Sequence, residues 1–302
     1  MRIDNQRRSD NFQDRGRGRG GGGGGGIRGI PLRGMSIQTL IIVGLILLGI
    51  YFFAPANIRD MVFGGVMGGQ QGALETSGAT CDAHAEACDF SRAVLGSTED
   101  VWNPQFAEGR LMTYGGVTLS AYQEPTLVVF SEAVSTGCGN APSSVGPFYC
   151  PADRQLYIDP TFYQTMESRL SAPGDFAQAY VIAHEVAHHV QNLIGATQIQ
   201  VQGENQNQTS VRLELQADCL AGVWGHLERA DLQITEADLR EALNAAHQIG
   251  DDTLQRGAQG YTDPNSYTHG TSAQRVNWFR RGFDSGDARQ CDTFAVQNYG
   301  QL

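Results

Sequence analysis

Residues 35–54, MSIQTLIIVGLILLGIYFFA, carry no charge over 20 positions, and this run restricts the possible folds of the chain more than any other stretch. At roughly 1.5 Å of rise per residue, a helix of that length matches a hydrocarbon layer about 30 Å thick. Tyr51, Phe52 and Phe53 stand at its far end, where interfacial aromatics belong. A cleaved signal peptide is the alternative, but the long preceding segment, the long apolar run and the lack of an A-x-A site weigh against cleavage. The expectation is a single N-terminal transmembrane helix. Arg15, Arg17, Arg19, Arg28 and Arg33 all precede it. The positive-inside rule then puts the N-terminus in the cytoplasm and everything beyond residue 55 in the periplasm or another extracytoplasmic space.

The flanks of that run divide the chain. Residues 1–34 hold eight Arg against three acids and a run of seven glycines, with few large apolar side chains. Such a composition cannot repay the entropy of folding, so a disordered Arg/Gly-rich cytoplasmic tail is expected. Residues 55–79 include GGVMGGQQGALETSGA and read as a flexible Gly-rich linker, which leaves residues 80–302 as the folded domain. The chain as a whole has a formal net charge of -11 although its first 34 residues are net positive, so the body is acidic. An acidic body lacks the basic face that phosphate neutralisation needs, and no nucleic acid partner is expected. An RNA-binding role for the tail is the rival, weakened by the absence of stacking aromatics apart from Phe12.

Six cysteines, Cys81, Cys88, Cys138, Cys150, Cys219 and Cys291, all follow the apolar run. An even number confined to the exported side fits disulfides in an oxidising compartment. Closeness in sequence favours Cys81–Cys88 and Cys138–Cys150, leaving Cys219–Cys291. A cysteine zinc cluster is the rival, but no C-x-x-C spacing occurs.

The chemistry concentrates in VIAHEVAHHVQNLIG, residues 181–195. Asp175 can cap a helix starting at Phe176, and Gly195 is placed to end it. On that helix His184 and His188 are four apart and leave one face a turn apart, so both rings can reach one divalent ion. Glu185 can sit beside a water on that ion, which is the mechanistic content of an H-E-x-x-H pattern. His189 points aside, either behind a ligand or at the surface. Catalytic zinc takes three protein ligands and keeps a fourth position open. The third is expected from SVRLELQADCLAGVWGHLERA, residues 210–230, whose apolar Leu213, Ala217, Leu220, Ala221, Trp224 and Leu227 recur at helical spacing. Glu214 and Asp218 on that helix read, alone, as solvated acids. Beside an H-E-x-x-H helix, Glu214 can complete the metal site while Asp218 accepts the free ring N–H of a ligand histidine.

H-E-x-x-H followed by Glu214-Leu-Gln-Ala-Asp218 resembles the gluzincin metallopeptidases. More narrowly, GCGNAPSSVGPFYCPADRQLYID, GDFAQAYVIAHEVAHHVQ, RLELQADCLAGVWGH, EALNAAHQIGDD and THGTSAQRVNWFRRGFDSGD are similar to the bacterial neutral zinc metallopeptidase family, over roughly residues 80–295. The resemblance implies Zn2+ as cofactor, His184, His188 and Glu214 as ligands, Glu185 as general base, and Asp218 orienting a ligand histidine such as His184. It also implies that His269 and Arg275 stabilise the oxyanion. This chain departs from several related groups by having Gly270, not Pro, after that histidine. The alternative is a His at a loop-to-helix junction and an Arg on a helix surface.

Residues 145–159, VGPFYCPADRQLYID, read as a hairpin whose edge can hold a substrate backbone, braced by a Cys138–Cys150 bridge. Further helices are expected over 235–249, with Thr235 and Asp238 as a capping pair and Gly250 as the stop, and over 271–281. The fold class implied is α+β: a zincin-like, mainly helical catalytic domain with a small antiparallel sheet. The function implied is a membrane-anchored zinc endopeptidase acting on a peptide or protein substrate. The rival in another class is a membrane-tethered binding or assembly factor that keeps the fold without the chemistry.

Overall fold

The computed structural model describes residues 1–18, 76, 77 and 79–302. The stretch expected to span a membrane, the rest of the expected tail and residues 55–75 and 78 of the linker lie outside the described residues. Among the described residues no helix is long and apolar enough to cross a membrane.

The chain begins with β1 (Phe12–Gly18) and β2 (Thr76–Ser77). Two consecutive helices follow, α1 (Thr80–Ala83) and α2 (Ala85–Ala107). Strands β3 (Thr126–Ser131), β4 (Ala133–Thr136), β5 (Gly139–Pro142), β6 (Phe148–Cys150) and β7 (Gln155–Ile158) come next. The remainder is helical: α3 (Thr161–Ser168), α4 (Asp175–Ile194), α5 (Gln206–Leu227), α6 (Glu236–Gln248), α7 (Asp251–Gln259) and α8 (Ser272–Ser285). The α+β expectation therefore holds at the level of class.

The main sheet has the order β2-β1-β3-β7-β6, and β4 pairs with β5 in a separate hairpin. β1–β3 and β3–β7 are parallel, so the sheet is mixed and not purely antiparallel. β3 is buried on both faces: Leu127 and Val129 join the helical core, while Val128 and Phe130 pack with Val134, Phe148 and Tyr157. That is why TLVVFS reads as a continuous apolar run where a half-solvated strand would alternate. The 145–159 hairpin forms as β6 and β7, with β6 on the sheet edge. Cys138–Cys150 and Cys81–Cys88 form disulfides, as closeness suggested, and the remaining pair, Cys219–Cys291, forms the third.

Residues 1–18 overturn the expectation of a disordered tail. β1 is an interior strand, pairing Phe12, Gln13 and Asp14 with Leu127, Val128 and Val129. Just before it, the chain lies on α2. Arg7 Nη2 reaches Glu99 Oε2 at 2.6 Å, and Ser9 Oγ and Asn11 Nδ2 donate to the buried Glu99 Oε1 at 2.6 and 2.8 Å. Arg8 pairs with Asp89 at 2.6 Å. A side chain at Gly96 would collide with the Arg7 carbonyl, so this glycine permits the close approach. Order here comes from charge complementarity and a strand ladder, which an apolar count does not register.

Helix ends follow local chemistry. Asn205 with Gln208, Thr235 with Asp238, and Thr271 with Gln274 each form a reciprocal capping box. Gly195 takes a left-handed conformation and closes α4. Asp175 is the first residue of α4 and does not cap it; instead Glu241 from α6 accepts the Phe176 N–H at 3.2 Å. Ile249 is the C-cap of α6, and Gly250, expected as its stop, is the N-cap of α7. Leu227, expected on the buried stripe of α5, is 37% exposed. α5 and α8 touch through Gly222 and Gly282, where any Cβ would overlap the opposing backbone. This contact fixes how α8 presents Arg275 to α5.

Candidate metal centre

Helix α4 is apolar on most sides and lies in the core, so its few polar side chains need partners. His184 and His188 leave the same face, with ring centroids 4.7 Å apart. Glu214 arrives from α5: Oε2 lies 3.2 Å from His184 Nε2 and Oε1 lies 3.5 Å from His188 Nε2. One donor atom from each of these three residues falls within 4.8 Å of the others. Two imidazole nitrogens and a carboxylate oxygen are a donor set that suits zinc.

The residues behind them hold these orientations. Asp218 is fully buried, with Oδ1 2.9 Å from His184 Nδ1 in a bent contact. The Tyr180 hydroxyl donates to Asp218 Oδ1 at 2.5 Å. His184 thus presents Nε2 to Glu214 and turns its other nitrogen to a carboxylate, the usual support for a metal-binding histidine. Arg275 also lines the cavity that holds this cluster. Its Nε and Nη2 donate to Asp218 at 2.8 and 2.9 Å, and it is 2% exposed. The guanidinium neutralises the buried Asp218 carboxylate, and it is buried, not on the helix surface.

Glu185 and His269 both line a cavity of about 610 Å³ that also contains the His184, His188 and Glu214 cluster. The Tyr149 backbone N–H is directed at the Glu185 carboxylate. Thr268 Oγ1 and Asp251 Oδ1 lie 2.9 and 3.4 Å from His269 Nδ1. The loop carrying His269 is fixed by Asp251, whose Oδ2 accepts the N–H groups of Thr268, His269 and Gly270 at 2.7, 2.7 and 3.1 Å. Gly270 has a φ of 89°, a conformation for which glycine is suited. Phe148 and Tyr149 of edge strand β6 form one wall. His189 is buried, not at the surface: its ring nitrogens meet Tyr149 Oη at 3.0 Å and the Gln123 carbonyl at 2.5 Å, tying α4 to β6.

Charge within the site is strongly organised. Burial opposes a charge on His184, but Asp218 and then Glu214 outweigh it and push its pKa up to about 10. His188 is driven down to about 4 by burial, with Glu214 pulling the other way. Glu214 is held below the ordinary carboxylate range because His269, His188 and His184 overcome its burial. Burial raises Glu185 to about 7, with His184 opposing and Glu214 adding to the rise. Positive charge is therefore favoured between Glu214 and the two histidines, whether a proton or a metal ion carries it.

Sequence reasoning missed Gln191, whose Oε1 lies 2.8 Å from His188 Nδ1, and Tyr180 and Asp251 behind the other groups. Gln191 follows His188 by three positions on one helix, a spacing that could have flagged it. Tyr180 precedes His184 by four, a similar signal. Asp251 carried none, because its partners are backbone groups 17 to 19 residues away.

A family described as "Putative neutral zinc metallopeptidase" matches residues 1–294. The Escherichia coli K12 protein named "Uncharacterized protein YpfJ" is 46% identical over 306 residues, covering 97% of this chain and 99% of that protein. The Mycobacterium tuberculosis H37Rv protein named "Uncharacterized protein Rv2575" is 39% identical over 236 residues, covering 73% and 76%. No solved structure matches the chain. The family match begins at residue 1, so it includes the strand that packs into the sheet.

Proposed function

This chain belongs to the neutral zinc metallopeptidase family, and we propose that it is a zinc-dependent, zincin-like endopeptidase with Glu185 as general base. The observation that carries this reading is the convergence of His184, His188 and Glu214 on one point of a cavity that Glu185 also lines. Those three residues would hold the zinc. When bound, the ion supplies Lewis acidity at the scissile carbonyl and a lowered pKa for water.

The chain's own groups do the rest. Glu185 takes a proton from water as the oxygen attacks the carbonyl carbon, then delivers it to the leaving amine nitrogen as the C–N bond breaks. His269, with Nδ1 engaged by Thr268 and Asp251, keeps Nε2 for the carbonyl oxygen as negative charge grows there. The edge of β6 can take the substrate backbone as an added strand. Among the described residues the cavity lining contains no acid besides Glu185 and Glu214. No carboxylate is left to hold a substrate's terminal ammonium, which favours internal bonds over aminopeptidase cleavage.

Membrane association remains part of the proposal on the strength of residues 35–54. β1 and β2, which precede and follow that run in the sequence, pair with each other in the domain's sheet. Flotation of the full chain with liposomes, with and without residues 35–54, tests this. Equal flotation by both forms would refute it.

The activity is tested on the full-length chain by zinc content and by cleavage of unstructured protein substrates. Glu185→Gln should retain zinc and lose turnover by at least about a hundred-fold. A zinc-loaded variant as fast as wild type would refute the assignment. Wild-type protein that binds zinc yet cleaves nothing would favour the binding or assembly factor.

A further inference from the structure

His188 differs from His184 in what holds its far ring nitrogen. His184 leans on the carboxylate of Asp218, whereas His188 Nδ1 faces the amide of Gln191 at 2.8 Å. An amide has one end that donates and one that accepts, and its surroundings decide which end is which. Gln191 Nε2 lies 2.6 Å from the Leu213 carbonyl oxygen, which can only accept, so the nitrogen must face that way. Its second N–H goes to Gln216 Oε1 at 3.1 Å. Gln216 is oriented by the same logic: its Nε2 lies 3.2 Å from the Cys291 carbonyl oxygen and 2.8 Å from Tyr114 Oη. The Tyr114 hydroxyl spends its own proton on Asp292 Oδ1 at 2.8 Å, so it accepts from Gln216. Both glutamines are fully buried, and each bond in the series runs in one direction only.

We infer that Gln191, oriented by Gln216, locks His188 in the tautomer protonated on Nδ1 and so presents the Nε2 lone pair to the metal. This rests on reading the site as a metal centre. An unconstrained neutral imidazole prefers its proton on Nε2, which would turn that nitrogen from a ligand into a donor. Gln191 and Gln216 are positioning residues acting through His188. Asp218 adds negative charge behind His184, while Gln191 supplies direction without charge, so the two ligands differ in basicity. The far end of the series is anchored by the Cys219–Cys291 disulfide, which joins the segment carrying the Cys291 carbonyl to α5.

The test uses the zinc-free full-length chain labelled with 15N-histidine, with ring tautomers read by long-range 1H–15N correlation at neutral pH. Wild-type His188 is expected to carry its proton on Nδ1. Gln191→Met should move that proton to Nε2 and weaken zinc binding about 10–100-fold in competition with a chromophoric chelator. The His184 ring signals should stay where they are. A wild-type His188 protonated on Nε2 overturns the inference, as does a folded Gln191→Met variant with unchanged tautomer and zinc affinity within about two-fold of wild type. The wild-type tautomer decides the matter even where the variant does not fold. It is read without zinc or turnover, so its outcome is separate from that of the peptidase proposal.

Discussion

Asp218→Asn removes one negative charge while preserving the volume of a side chain that four groups surround. In the wild type, Asp218 receives Arg275 Nε at 2.8 Å, Arg275 Nη2 at 2.9 Å and the Tyr180 hydroxyl at 2.5 Å, with His184 Nδ1 at 2.9 Å. Once the charge is gone, the remaining hydrogen-bond partners of Arg275 are neutral, Tyr180 Oη at 3.3 Å and the Ile249 carbonyl at 3.4 Å. Stranding one member of a buried pair costs about 3–5 kcal/mol. The Asn oxygen still accepts one N–H, recovering about 1 kcal/mol, so a net loss of about 2–4 kcal/mol is expected. A domain stable by about 5–15 kcal/mol survives that loss, which makes the variant measurable. The assay is urea unfolding of the zinc-free chain, followed by zinc titration of the same protein. Zinc affinity should fall about 10–100-fold because His184 loses its anionic support. Adding Arg275→Met should return at least half of the lost stability, since it removes the stranded cation. A zinc-free Asp218→Asn protein within about 0.5 kcal/mol of wild type, or a double variant no better than the sum of the singles, would refute the reasoning.

Two further expectations come from packing and titration. Gly282→Ala places a methyl group against the Cys219 backbone, so unfolding should become easier by at least about 1–3 kcal/mol; an unchanged denaturation midpoint would show that α8 can move aside. Glu228 is 5% exposed, and burial, then Asp231 and Asp100, raise its pKa from 4.5 to about 7. The folded state therefore favours the neutral acid, and the stability it contributes is complete below about 4.5 and lost as pH rises through about 7. Glu228→Gln should stabilise the protein by about 1–2 kcal/mol at pH near 8 and by little at pH near 4. Melting curves with the same gain at both pH values would contradict this.

Much of the candidate site was legible because it rests on short-range regularities. The 3.6-residue period put His184 and His188 on one face, and the same period allowed Glu214 and Asp218 to be read as a pair on a second helix. Capping pairs at Thr235 and Asp238, and the left-handed Gly195, are local chemistry and needed no tertiary information. The two short disulfide loops were likewise legible from proximity, and the third followed by elimination.

The chain's sequence by itself determined which residue types could meet a metal and on which helical faces they stand, because those depend on spacing within one element. Only the tertiary structure decided where Arg275 spends its charge, that Gln191 turns His188, that His189 is buried, and that residues 1–18 form part of the sheet. Each of these depends on partners brought together from distant positions, such as Arg7 on Glu99 or Gln216 against Cys291. Arginine in a Gly-rich segment has the same composition whether it is solvated or paired. The direction of a buried side chain is set by the donors and acceptors that packing delivers to it, and no periodicity along the chain encodes them.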